Sequence, residues 1–227
     1  MTVFYPAIWF VLTIVLYVLV ARLYKKYPFI WLNPLYICPL LLIFILGITH
    51  TNYVDYRSGT EAISFFLGPV ELVMMISLYR NFAVLKRHFT MIITGVLFGT
   101  SAGVFFVTWI ADTLDLGQLT ILSLAPKSTT APMAVSVSSS LGGLPELTAI
   151  FAMITALTGL LIGPALIRWL GISNKIVKGL VMGTAASMVG AAKAAQWGEL
   201  EGAMGVLGMA LSALFMPLLA GCLLLFY

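Results

Sequence analysis

Along this chain apolar residues come in runs of about twenty, the helix length that crosses the roughly 30 Å hydrocarbon core of a bilayer. By that criterion the sequence predicts spanning helices at 5–24, 30–48, 60–80, 89–111, 145–168 and 200–226. The first run is too long for a signal-peptide core and its charges follow it, so it reads as a retained span. Two further apolar segments, 117–140 and 175–195, are interrupted halfway. The first breaks between Pro126 and Pro132, the second between Gly183 and Gly190. Such pairs do not sit inside one continuous helix without freeing backbone groups, which lipid tolerates only where they face protein or a polar cavity.

The two breaks look like copies of one unit. Leu124-Ala125-Pro126 stands 58 residues before Met182-Gly183-Thr184. Each break is followed by a Gly/Glu linker and a long helix rich in Ala, Met and Leu, and a weaker third copy begins at Leu67-Gly68-Pro69. Paired interrupted segments in corresponding positions point to a transporter binding site. The fold class read from these patterns is all-α: a polytopic helical membrane protein, residues 1–227 forming one transmembrane domain, with two interrupted segments, re-entrant or broken, related by an internal repeat.

Composition sharpens this. With 61% hydrophobic and 9% charged residues, the chain lacks the polar surface a soluble fold needs. A soluble enzyme, a disulfide scaffold and a disordered regulator are excluded. The net charge of +4 is no nucleic-acid signal, because the cations cluster between apolar runs: Arg22, Lys25, Lys26; Arg80, Lys86, Arg87; and Arg168, Lys175, Lys178. If both interrupted segments re-enter, these nine lie on one side and Arg57 on the other; if both cross, the count is six against four. The positive-inside rule favours re-entry, although broken crossing helices are the commoner transporter device.

Lys127 falls outside the clusters. It lies mid-segment between two prolines, followed by Ser128, Thr129 and Thr130. An intramembrane ammonium beside hydroxyls and a helix start near Pro132 suits a small carboxylate; the alternative is a loop lysine reaching the interface. In the second break Gly183, Thr184 and Ser187 offer matching donors. Lys193, Glu199, Glu201 and Glu146 flank the breaks as candidates for proton coupling or ion pairing, and linker glutamates also serve simply as helix N-terminal residues. Gly95, Gly99 and Gly103, like Gly159 and Gly163, form small-residue stripes whose expected role is close helix packing. Cys38, Cys222, His50 and His88 lack metal-ligand or redox neighbours, and no nucleotide or catalytic motif is present. No cofactor, metal site or enzyme activity is expected.

These residues resemble the LrgB/CidB family of bacterial inner-membrane proteins over about 56–226. The likeness rests on Tyr56-Arg57-Ser58-Gly59, Leu67-Gly68-Pro69, Pro126-Lys127-Ser128, Gly142-Gly143-Leu144-Pro145, Gly179-Leu180-Val181-Met182-Gly183-Thr184 and Gly198-Glu199-Leu200-Glu201-Gly202-Ala203. The sequence departs from the family at Ala185-Ala186-Ser187-Met188, where Ser-Ser-His is usual, at Ser136, where an acid is usual, and at Lys193, in place of an arginine. The resemblance implies a multi-pass inner-membrane protein with two functional expectations. One is secondary transport of a small monocarboxylate of the glycolate, glycerate or pyruvate type, as in the related plastid carrier. The other is holin/antiholin-like control of murein hydrolases with a small LrgA/CidA-like membrane partner. A homo-oligomer is compatible with both.

Overall fold

The computed structural model describes residues 4–27 and 32–223, and within them every regular element is helical. Positions 30–31 and 224–226 of the expected spans lie outside the described residues. Contacts divide the chain into two compact units, 1–73 and 74–227.

The first unit holds α1 (Phe4–Lys26), α2 (Pro34–Ile48) and α3 (Tyr53–Phe65), with the start of α4 (Leu67–Arg80). Asn33 caps α2, its side chain accepting from Leu35 N at 3.0 Å, and Pro34 occupies the first turn, where its missing N–H costs nothing. Trp9 of α1 is buried edge-on against Tyr56 of α3, ring centroids 6.0 Å apart. The single span expected at 60–80 is two short helices, α3 and α4, meeting at Phe66. The physical reason is Pro69, which has no N–H to carry the helical ladder back across that joint.

The second unit is built on three long helices after the six-residue α5 (Phe82–Arg87): α6 (Phe89–Thr113), α9 (Pro145–Trp169) and α11 (Glu199–Leu223). With α1 they are, among the described residues, the four helices long and apolar enough to cross a membrane. In α6, Ile92, Val96, Thr100, Val104 and Thr108 recur every fourth residue and are buried, whereas Phe98, Phe105, Phe106 and Trp109 are exposed. A bundle facing lipid leaves its bulky apolar side chains on the outside.

Both interrupted segments fold back on themselves. The first comprises α7 (Gln118–Leu124), a 3₁₀ turn at Ala125–Ser128 and α8 (Ala131–Leu141). Twenty residues of continuous helix would separate Ser123 from Leu144 by about 30 Å. Instead Leu144 N donates to Ser123 Oγ at 2.8 Å, and Leu122 shares a core with Leu141. The second is α10 (Lys175–Ala195), whose helical backbone is interrupted at Ser187, with φ 52° and ψ −136°. Gly190 lies against the carbonyl of Met182, although eight helical residues span about 12 Å. Each segment is therefore a re-entrant hairpin, the arrangement that the charge count favoured.

Core neighbours fix the directions. Ile92 and Val96 of α6 pack with Met204 and Leu207 of α11, and farther along Val104 packs with Met216, so these two helices are parallel. On the second hairpin, Gly179 and Gly183 abut Glu201 and Gly205, while Gly202 and Gly205 abut Ala195 and Ala191. The hairpin thus enters beside the start of α11, runs along it and returns. The first hairpin enters from the opposite end, where α6 finishes, and α9 runs antiparallel between the two ends. Of the eight Lys and Arg in this unit, seven (Arg80, Lys86, Arg87, Arg168, Lys175, Lys178, Lys193) belong to the end where α11 starts. The other end carries Asp112, Asp115 and Glu146 and no cation, so the basic end is cytoplasmic.

Candidate functional site

The hairpin tips meet halfway along α6. Ser128 of the first lies beside Gly103, and Thr184 of the second beside Gly99 and Gly208. A cavity of about 530 Å³ opens between them. Lys127, Ser128 and Thr184 line it, joined by Thr100 of α6 and Thr155 of α9. Its remaining wall is apolar, including Met91, Leu180 and Val181.

The first hairpin positions Lys127 through its prolines. Pro126 removes a helical N–H, the chain tightens into the 3₁₀ turn, and Thr129 leaves it extended, its hydroxyl donating back to Pro126 O at 3.1 Å. Half-buried Lys127 projects beside the turn, its Nζ donating to Ser128 Oγ at 3.5 Å. Among the described residues no carboxylate lies within ion-pair distance of it. A lysine at this depth costs roughly 3 kcal/mol on the insertion scale, so an uncompensated one is a standing demand for an anion.

The other expected site residues separate into groups. Thr129 is buried within the tip and Thr130 begins α8, neither lining the cavity. Gly183 packs against the backbone of Gly205. Ser187 forms the second tip, its hydroxyl buried with no hydrogen-bond partner among the described residues, and it too stands outside the cavity wall. Glu146 begins α9 at the far end of the bundle from Glu199 and Glu201. Glu199 lies 3.8 Å from Arg80, an exposed pair, and Lys193 donates to Gln196 Oε1 at 3.0 Å.

The glycine stripe of α6 corrects an expectation. A methyl group on Gly95 would meet nothing within 4 Å, and on Gly99 or Gly103 only side-chain atoms of Thr184 or Ser128 at 3.9–4.0 Å. These glycines keep open the cavity they line. The stripe on α9 does pack closely: a methyl on Gly159 would lie 2.7 Å from Ala186 Cβ, and on Gly163 2.8 Å from Met182 Sδ. Spacing alone does not separate these roles. Thr100 and Thr155 were missed because a hydroxyl within an apolar helix has no distinguishing sequence signal.

These features define a multi-pass helical membrane protein with a largely apolar mid-depth cavity that carries one lysine and a few hydroxyls. The LrgB-like family model matches residues 13–226, and the chain belongs to that family. It is 33% identical over 216 residues to the holin-like protein CidB of Staphylococcus aureus (strain N315), covering 95% of this chain and 94% of that protein. Two Bacillus subtilis (strain 168) relatives are the uncharacterized proteins YwbG, 34% identical, and YxaC, 32% identical. Each of these matches covers 89% of this chain, and respectively 90% and 88% of the relative. No solved structure matches. Its four apolar helices and bacterial relatives make the protein a component of the bacterial cytoplasmic membrane.

Proposed function

We propose that the protein carries a small organic monocarboxylate across the membrane, binding it in the cavity between the hairpin tips. The observation that carries this reading is Lys127: a mid-depth ammonium without a carboxylate partner, beside Ser128 and facing a cavity shared with Thr184. The ammonium supplies charge, and the hydroxyls supply orientation. Two hairpins entering from opposite ends put the cavity where access alternates if one hairpin withdraws from the other. Protein reconstituted in liposomes takes up labelled glycolate or pyruvate saturably on this reading, and Lys127→Ala abolishes uptake. Undiminished uptake by the variant removes Lys127 from the site.

A second reading is favoured by the comparisons, which lend no specific support to a carboxylate substrate. The Staphylococcus relatives are named holin-like. On that reading the protein regulates murein hydrolase export and autolysis with an LrgA/CidA-like partner. It then releases unrelated small solutes from liposomes without saturation by any carboxylate. The same uptake assay separates the two.

A further inference from the structure

A second cavity, of about 500 Å³, lies at the cytoplasmic end, at the root of the second hairpin. Three cations line it from three helical segments: Arg168 from the last turn of α9, Lys178 from the entering arm of α10 and Lys193 from the returning arm. Lys178 and Lys193 are fifteen residues apart and line one cavity only because the chain reverses at Ser187. Both are half-buried, and Trp197 forms part of the wall. One acid is present: Glu201, buried in the first turn of α11 where the helix dipole favours its charge. None of the three cations lies within ion-pair distance of Glu201, and Lys193 is held by the neutral Gln196. With Glu201 counted, the cavity retains an excess of two positive charges.

We propose that this cavity binds a phosphate-bearing anion. The charge excess matches a phosphodiester pair or one phosphomonoester dianion. Arg168, whose Nε donates to Pro164 O at 3.3 Å, keeps its two terminal amino groups for phosphate oxygens, and the two lysines lining the same cavity add point charges. The depth matches as well, because a basic pocket between helices on the cytoplasmic side meets the headgroups of acidic phospholipids, with a tryptophan at the same interface. A bound headgroup ties α9 to both arms of the hairpin and restrains the element that closes one side of the central cavity. Free phosphate offers the same oxygens, and the two sources are separable.

The test is thermal stability of the purified full-length protein in neutral detergent, titrated with cardiolipin, with inorganic phosphate, and with phosphatidylcholine as the control lipid. Wild type is stabilised by cardiolipin or by phosphate, and not by phosphatidylcholine. At roughly 1 kcal/mol for each cation, Lys178→Gln/Lys193→Gln weakens the apparent affinity about thirtyfold. Arg168→Gln, on an exposed side chain, weakens it about fivefold. Lys86→Gln, a cation outside the cavity, leaves it unchanged. A response to cardiolipin alone assigns a lipid headgroup, and a response to phosphate at equal strength assigns a soluble ligand. Absence of any response, full response in the double variant and in Arg168→Gln, or equal loss in Lys86→Gln overturns the proposal.

Discussion

Alanine at Gly183 and alanine at Gly95 add the same methyl group to two apolar helices, and the structure demands opposite outcomes. At Gly183 the methyl would run into the carbonyl of Gly205, with the Gly205 carbonyl carbon at 2.7 Å and its Cα at 2.9 Å. All three are backbone atoms of α11, so no rotamer change relieves the clash; relief requires the hairpin to move off α11 by about 1 Å. That movement also loosens the contacts at Gly179 and Gly208, and overpacking of this kind costs about 2–3 kcal/mol. For a chain of this size each kcal/mol shifts the midpoint by about 2–4 °C, giving a loss of roughly 4–12 °C for Gly183→Ala. At Gly95 the methyl enters open space, and the gain in helix propensity leaves stability equal or higher by up to about 1 kcal/mol. Thermal unfolding of the two variants in detergent, followed by tryptophan fluorescence, measures the difference directly. Equal midpoints would refute the close hairpin packing. In the uptake assay the order of interest reverses, because Gly95→Ala narrows the central cavity while leaving the fold intact.

Three further outcomes follow from the hairpins. Ser123→Ala leaves the Leu144 amide without its acceptor at the base of the first hairpin and costs about 1–3 kcal/mol in the same unfolding measurement; no change would mean that water replaces the bond. Ser187→Gly removes a non-glycine residue at φ 52° and an unpartnered buried hydroxyl, so stability rises by about 1 kcal/mol; a lower midpoint would show that the serine makes a needed contact. In a version lacking Cys38 and Cys222, Ser173→Cys between α9 and α10 reacts with an impermeant thiol reagent only from the cytoplasm, and Asp115→Cys only from outside. External labelling at position 173 would sink the re-entrant topology.

Hydrophobic run length and charge placement were enough to read a polytopic helical membrane protein, because lipid permits few spanning solutions and cations stay on one side of them. Both interruptions fall inside the stretches marked by Pro126/Pro132 and Gly183/Gly190. Proline gives the first a direct cause, whereas glycine is a weaker signal, because Gly95, Gly99 and Gly103 lie in the uninterrupted α6. Lys127 could be picked out because a charge at that depth has no inexpensive structural explanation. The family resemblance carried by Pro126-Lys127-Ser128 and Gly179–Thr184 was legible too, and family membership agrees with it.

Proximity across the chain was decided by the tertiary structure. A glycine looks the same in sequence whether it meets another backbone, as Gly183 does, or open space, as Gly95 does. The reversal at Ser187 depends on a backbone conformation held by packing against α11, and it brings Lys178 and Lys193 to one cavity. The placing of Lys127 and Thr184 on one cavity depends on two hairpins, entering from opposite ends, reaching the same stretch of α6. Periodicity and composition report the solvent each residue prefers, whereas packing alone determines which residues share the space between two helices.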